Sequence, residues 1–453
     1  MILNKIVATK KIEVAQLYQQ YDIDLLRNEA VPSSRSFYDK IEAAAQAGTP
    51  FLISEFKRKS PSEGWINKEI AISKQLDFYK KLGASAVSIL TDYDYFGGSH
   101  KDLKEASDYL KDTDILVLNK EFIIDEIQLY LARKNGANLV LLIAAILDTE
   151  QFSILKNLAE SLGMGVLAEV HSIAEYQKIA DLNCTVIGVN NRDLNTFKTA
   201  LNNCNFIAHH INHKKYFIAE SGMHSAFDLS VAGTYSHGFL IGTSLMRKPE
   251  AFTNIKQNGY FLKACGLRKL NHFKEQKADL VGINFSPISK RKISPEVLLK
   301  TTLEDHYVAL FYKNNKEEIS TTLEKHSFKY VQLYAKDVSL ELVKSLKQKI
   351  LLAISIQSEK DLLQAEAFAP YIDCFILDGA QPGQGKTIAA EIPKDFPYPF
   401  LLAGGINAHN LNRVLDYKNC IGVDVASGIE TNGEVDLLKI EAITNTLKQL
   451  PQS

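Results

Sequence analysis

The sequence predicts an α/β protein built from two consecutive (β/α)8 barrels. Three observations carry this: sixteen short apolar runs, their division into two sets of eight, and helix-like segments between successive runs. In the first half the runs are Phe51–Ser54, Ala86–Leu90, Ile115–Leu118, Leu139–Ile143, Gly165–Ala168, Val186–Val189, Tyr216–Ala219 and Gly238–Ile241. Each is short and apolar throughout, as parallel strands covered on both faces must be. Segments such as Glu126–Lys134 and Ser153–Leu162 separate them, giving repeats near the roughly 30 residues of a βαβ unit.

The rhythm breaks at Lys248-Pro249 and a last helix, Glu250–Gln257, and then restarts. The second set is Tyr260–Ala264, Leu280–Asn284, Tyr307–Leu310, Tyr330–Leu333, Ile350–Ile354, Cys374–Leu377, Phe400–Ala403 and Gly422–Val425. Two sets of eight alternating units fit two barrels better than one large doubly wound sheet. The expected domains are 1–256 and 257–453, docked in a fixed arrangement because no Gly/Ser- or Pro-rich linker lies between them. Before the first strand, Leu3, Ile6, Val7, Val14, Leu17 and Tyr18 keep a helical apolar period.

Composition limits the function. Of 453 residues, 52 are basic and 53 acidic, so no basic field exists to draw nucleic acid or anionic lipid. The most apolar stretch, Leu139–Leu147, is about half the roughly 20 residues that span a bilayer. The first residues, Met1 to Lys11, hold no apolar signal core. A cytoplasmic protein is expected, monomeric, with no membrane or nucleic-acid partner. Five scattered cysteines, Cys184, Cys204, Cys265, Cys374 and Cys420, show neither disulfide nor zinc spacing. No metal or cofactor is implied, and Gly383-x-Gly385-Lys386-Thr387 lacks Walker spacing.

Barrel enzymes place their chemistry at the C-terminal ends of the strands. The residues following the first-half runs are Glu55, Thr91, Asn119 with Lys120, Glu169, Asn190 and Glu220. Solvated loops begin on charged residues often enough, but six strands converging on one mouth point to a site. After the seventh and eighth runs come Ser221-Gly222 and Gly242-Thr243 in the first half, and Gly404-Gly405 and Ser427-Gly428 in the second. Small residues there let backbone N–H groups approach a phosphate.

The segment Ile53-Ser54-Glu55-Phe56-Lys57-Arg58-Lys59-Ser60-Pro61-Ser62 resembles the first-strand signature of indole-3-glycerol-phosphate synthase. The pieces Lys120-Glu121-Phe122-Ile123, Ala168-Glu169-Val170-His171, Asn190-Asn191-Arg192-Asp193 and Ala219-Glu220-Ser221-Gly222 extend the resemblance from about residue 2 to 256. The remainder resembles phosphoribosylanthranilate isomerase, through Lys263-Ala264-Cys265-Gly266-Leu267, Phe285–Arg291, Val331-Gln332-Leu333, Leu377-Asp378-Gly379, Gly404-Gly405 and Gly422–Glu430.

The resemblance implies two successive steps of tryptophan biosynthesis on phosphorylated anthranilate-sugar substrates. In the synthase half it makes Lys120 the general acid at a ketone, assisted by Lys57, and Glu169 the base and cation stabiliser. Glu55 and Glu220 would hold the lysines charged; Asn190 and Arg192 would orient substrate; Ser60 and Pro61 would line the anthranilate pocket. Ser221, Gly222, Gly242 and Thr243 would bind phosphate. In the isomerase half it makes Cys265 the base, Asp378 the acid and Arg291 the partner of the anthranilate carboxylate, with Gly404, Gly405, Ser427 and Gly428 on phosphate. Three places depart from the family pattern: Glu121 stands for an aspartate, Tyr334-Ala335 for His-Gly, and the glycine-rich run after Asp378 is thinned to 379–385. The last two leave open a non-catalytic docking module as the second barrel. A lysine ending a barrel strand leaves open a Schiff-base aldolase.

Overall fold

The computed structural model describes residues 2–61, 63–193, 198–211, 215–247, 252, 259–356, 358–379 and 392–451. The helix expected over 250–257, the junction at 256/257 and the thinned run beyond Gly379 lie outside these, except Phe252. Two compact units emerge: Met1–Thr199 with Ile207–Lys256, and Ala200–Phe206 with Gln257–Ser453.

The first unit opens with helices α1 (Ile2–Gln20), α2 (Ile23–Glu29) and α3 (Phe37–Gln46). Asp22 and Ser36 cap α2 and α3 by accepting backbone N–H bonds from their first turns. Eight parallel strands follow: β1 (Phe51–Phe56), β2 (Ala86–Leu90), β3 (Leu116–Lys120), β4 (Leu139–Ile143), β5 (Gly165–Val170), β6 (Val186–Asn190), β7 (Tyr216–Glu220) and β8 (Gly238–Ile241). They close in sequence order, Phe51 of β1 pairing with Gly238 of β8. The inward positions Phe51, Ile53, Leu116, Leu118, Leu139, Leu141, Ile143, Leu167, Val186, Ile218 and Leu240 form a packed interior. Phe37 and Ile41 of α3 join that cluster and plug the barrel from below. A Cβ on Gly165 would sit 2.6 Å from Phe37, so only glycine lets the plug seat.

The second unit repeats the architecture: β9 (Phe261–Cys265), β10 (Leu280–Asn284), β11 (Tyr307–Leu310), β12 (Tyr330–Tyr334), β13 (Lys349–Ile356), β14 (Cys374–Gly379), β15 (Phe400–Leu402) and β16 (Cys420–Val425). All pair in parallel and in order, and β9 closes on β16 with Lys263 opposite Asp424. Leu262, Ala264, Val281, Ile283, Val331 and Leu333 face outward, in one apolar cluster with Ile440, Ile443 and Leu447 of the last helix, Leu437–Gln449. By the two-residue period of a strand, Lys263, Cys265, Gln332, Tyr334, Asp378 and Asp424 turn inward.

Several strands run past the ends that apolarity predicts. Glu55, Asn119, Lys120, Glu169, Asn190 and Glu220 are strand residues rather than the first loop residues, and Thr91 does lie just beyond β2; Cys265, Tyr334 and Asp378 stand at or next to the ends of their strands, as expected. The parallel ladder uses backbone groups and continues under a polar side chain as readily as under an apolar one. Among the described residues no helix is long and apolar enough to cross a membrane.

Candidate active sites

In the first barrel, each expected site residue on a strand is the next inward position above the apolar interior. Glu55 follows Ile53, Lys120 follows Leu118, Glu169 follows Leu167, Asn190 follows Gly188 and Glu220 follows Ile218, all in steps of two. The alternation therefore stacks a polar layer on an oily one and gathers it at one mouth. There Lys120 Nζ donates to Glu220 Oε2 at 2.8 Å and lies 3.4 Å from Glu169 Oε2. Lys57 Nζ donates to Glu55 Oε1 at 2.6 Å. Asn190 Nδ2 donates to Glu169 Oε1 at 3.3 Å, and its Oδ1 accepts the backbone N–H of Arg192.

Two glycines make room for this layer. A Cβ on Gly188 would fall 2.2 Å from Glu220 Oε1, and one on Gly242 would fall 2.3 Å from Glu55 Oε1 and 3.0 Å from Lys57 Nζ. Gly242, expected against phosphate, also turns its Cα towards the Glu55–Lys57 pair. Gly242→Ala should consequently lower synthase kcat by pushing Glu55 off Lys57, whereas a phosphate role alone would raise KM at constant kcat. Steady-state kinetics of the folded variant separate the two.

Electrostatically, three buried carboxylates share two ammonium groups. Burial opposes ionisation of Glu55, but Lys57 and Lys120 outweigh it and hold its carboxyl below the usual range. Burial likewise opposes the charge on Glu169, yet Lys120, His171 and the Asn190 amide keep it low. Glu220 lacks those extra partners; burial and the Glu169 charge push it up to about 7 despite Lys120. Burial also works against the Lys120 charge, and Glu220, Glu169 and Glu55 reverse that, raising it well above an ordinary lysine. Such a lysine stays protonated, which suits an acid and opposes the aldolase reading, where the amine must be free.

The cleft over this layer has an empty volume of ≈ 1190 Å³. Ser60, Pro61 and Arg192 stand on its rim, with Phe96 and Phe122 as apolar walls and Leu3 and Ile6 of α1 reaching in. Ser221, Gly222, Gly242 and Thr243, which follow β7 and β8, line it as well. Ser221 and Gly222 both take positive φ, 66° and 84°, a succession that curls the backbone into a concave turn.

Lys10 and His171 escaped the sequence reading. Buried Lys10 ties α1 to Asp92 at 3.0 Å and Glu121 at 2.9 Å, and Glu121 also accepts from Thr91 Oγ1 and from the Phe122 backbone N–H. The longer glutamate at 121 spans these partners from α1 to β2. A lysine continuing the apolar period Leu3, Ile6, Val7 was the available signal.

In the second barrel, Lys263 Nζ donates to Cys265 Sγ at 2.8 Å and to Asp424 Oδ1 at 2.9 Å, and the thiol reaches the same oxygen at 3.2 Å. Burial pushes the Cys265 thiol up to about 12, Asp424 adding to the rise and Lys263 opposing it. Gly282 leaves space for the sulfur, since a Cβ there would lie 2.3 Å away. Asp378 is buried on β14, in register with Ser355 of β13. Tyr334 is buried on β12, its hydroxyl raised well above the ordinary value by burial, then by the charges of Asp378, Asp424 and Cys265. Tyr334 therefore shares the mouth with the expected acid and base. Its ring centroid lies 4.7 Å from that of Tyr312.

Arg291 is held by Glu430 through two charge-assisted bonds, Nε at 2.6 Å and Nη2 at 2.8 Å. A substrate carboxylate would thus meet an arginine that already has a carboxylate partner. Gly404 and Gly405 both have positive φ, 86° and 69°, after β15. Ser427 and Gly428 follow β16, where a Cβ on Gly428 would strike the Ile406 carbonyl oxygen at 2.0 Å. Close backbone packing of the seventh and eighth loops thus requires this glycine. Among the described residues no group of three or more His, Cys, Asp or Glu could hold a metal.

Comparison with known proteins matches residues 3–257 to the family model of indole-3-glycerol phosphate synthase and residues 262–446 to that of N-(5'phosphoribosyl)anthranilate (PRA) isomerase. The tryptophan biosynthesis protein TrpCF of Helicobacter pylori is 33% identical, covering 99% of both chains. That of Salmonella typhi is 31% identical with the same coverage. The crystal structure of phosphoribosyl anthranilate isomerase from Thermotoga maritima is 25% identical and covers 42% of this chain and 100% of its own, with a TM-score of 0.37.

Proposed function

The chain belongs to the bifunctional family joining indole-3-glycerol phosphate synthase to PRA isomerase, and from that premise we propose a role for each group at the two barrel mouths. As an enzyme it is a lyase and an isomerase of tryptophan biosynthesis, with the synthase in the N-terminal barrel. The second barrel converts N-(5-phosphoribosyl)anthranilate to 1-(2-carboxyphenylamino)-1-deoxyribulose 5-phosphate. The first closes that product to indole-3-glycerol phosphate with loss of CO₂ and water.

In the isomerase, Asp378 protonates the ribose ring oxygen and the ring opens to an iminium ion. Cys265 then removes the C2 proton, and the resulting enamine tautomerises to the aminoketone. A thiol resting near 12 needs help to become a base. Asp424 is placed to take its proton, and Lys263 together with the new iminium charge stabilises the thiolate. Arg291, positioned by Glu430, faces the anthranilate carboxylate. Gly404, Gly405, Ser427 and Gly428 cradle the phosphate.

In the synthase, attack of the aromatic ring on the ketone builds negative charge on oxygen. Lys120 delivers a proton there, and Lys57, held by Glu55, supports the oxyanion. Glu169 stabilises the positive charge at the anilino side and takes the proton released when the indole forms. Glu220 steadies Lys120, Asn190 and Arg192 orient substrate, Ser60 and Pro61 border the anthranilate, and Ser221, Gly222 and Thr243 hold phosphate. Gly242 gives the Glu55–Lys57 pair its room and leaves its backbone N–H for the same anion. The observation carrying this reading is Lys120 clamped between Glu169 and Glu220 under an open cleft. We further infer a monomer working in the cytoplasm, since each barrel holds its own set of groups.

The test is an assay of the purified protein on each of the two substrates separately. Turnover of both is expected. Synthase turnover without isomerase turnover would replace this reading of the second barrel with the docking module.

A further inference from the structure

We infer that His171, at the end of β5, is a positioning residue that holds Glu169 ionised and aimed while Lys120 gives up its proton. The imidazole sits between two carboxylates: Nε2 lies 3.4 Å from Glu169 Oε1 and Nδ1 lies 3.0 Å from Glu175 Oε2. Glu175, on the following helix (Ile173–Ile179), also accepts the His171 backbone N–H at 2.8 Å, so it holds both the backbone and the ring of the residue. Only the doubly protonated ring carries a proton on each nitrogen that faces a carboxylate; Nδ1 bonds Glu175, and Nε2 meets Glu169 as an ion pair rather than a hydrogen bond. The charged groups that act most on the ring are acidic: Glu175, Glu169 of β5 and, farther off, Glu220 of β7; Lys120 of β3 contacts the other oxygen of Glu169. Burial alone favours the neutral imidazole, but these carboxylates reverse that and raise it above the ordinary 6.5.

The need for such a cation follows from the chemistry. At rest Lys120 neutralises Glu169 and Glu220 together. Once Lys120 has protonated the ketone oxygen, that shared charge is gone, and two buried carboxylates face each other. Glu220 has little to lose by protonation near neutral pH, being pushed up to about 7. Glu169 must stay anionic to stabilise the anilino cation and then accept its proton. Its Oε1 keeps two contacts that the reaction does not consume, the Asn190 amide and the His171 ring. Protonated His171 thus supplies the cation that Lys120 withdraws.

The inference rests on the reading of Glu169 as the base, and synthase kcat against pH tests the two separately. The variants are His171→Gln, Glu175→Gln and Glu169→Gln, with emission of Trp65, the chain's single tryptophan, reporting the fold at the mouth. In the native protein activity should fall as pH rises through the raised value of His171, well before Lys120 can lose its proton. His171→Gln should remove that alkaline limb and turn over about ten- to a hundredfold more slowly, the rate equivalent of one charge-assisted contact, with KM within about threefold. Glu175→Gln keeps the ring and removes an anion that favours its charge, so the limb should move to lower pH; this variant also serves if His171→Gln does not fold. A His171→Gln enzyme with native kcat and an unchanged limb would overturn the inference, as would a loss confined to KM or an unmoved limb in Glu175→Gln. A Glu169→Gln enzyme of native rate would remove the base assignment itself; a slow Glu169→Gln beside a native His171→Gln would overturn only the role of the histidine.

Discussion

Lys120→Ala and Glu169→Gln should each cut synthase turnover by the roughly 10²–10⁴-fold typical of a lost general acid or base, with isomerase turnover of the same sample unchanged. Both side chains belong to the polar layer of the first barrel, whose interior of Ile53, Leu118, Leu167 and Ile218 is its own. Neither substitution opens that interior. The two losses should differ in kind. Lys120→Ala leaves Glu169 and Glu220 without their common cation, so one of the two takes up a proton at neutral pH. Glu169→Gln keeps the shape and leaves Lys120 paired with Glu220. A melting temperature near the native one is expected for the glutamine variant, with the alanine variant lower. Calorimetry beside both activity assays makes the comparison. Equal loss of both activities in a folded protein would contradict independent sites.

The second large effect is expected in the isomerase. Cys265→Ala and Asp378→Asn should each lose about 10²–10⁴-fold in kcat, while Tyr334→Phe changes it by less than roughly tenfold. The ranking comes from geometry and charge. Cys265 has both a proton acceptor, Asp424, and a cation, Lys263, within 3.2 Å. Tyr334 stands among the same groups, but burial first and then its acidic neighbours Asp378, Asp424 and Cys265 hold its hydroxyl protonated, so it offers a hydrogen bond and not a base. If Tyr334→Phe proved as damaging as Cys265→Ala, proton transfer would have to be reassigned around the tyrosine.

Much of this was legible in the sequence, for a physical reason. Strands covered on both faces must be apolar throughout, so sixteen runs mark sixteen strands and their grouping marks two barrels. The same criterion truncates the strands, because the last inward residue of each opens on the mouth and is free to be Glu55, Lys120, Glu169 or Cys265. Contacts between distant segments were the harder part. Lys263 and Asp424 are 161 residues apart, and only closure of β9 on β16 puts them in register. Opposite charges inside the first and last strands of one barrel are a signal that closure makes meaningful. The Arg291–Glu430 pair carries no comparable mark, as Arg291 lies in a turn and Glu430 in a two-residue strand outside the barrel. His171 was in plain view after Glu169, but nothing in its spacing distinguished a ring between two carboxylates from a solvated loop histidine.

The central claim is that each barrel carries a separate chemistry, and the fate of N-(5-phosphoribosyl)anthranilate given to the Lys120→Ala protein tests it most directly. The predicted result is consumption of that substrate at the native rate with one equivalent of 1-(2-carboxyphenylamino)-1-deoxyribulose 5-phosphate accumulating and no indole formed. If the folded variant instead left N-(5-phosphoribosyl)anthranilate untouched, Lys120 would be needed for both steps and the two-site account would be contradicted.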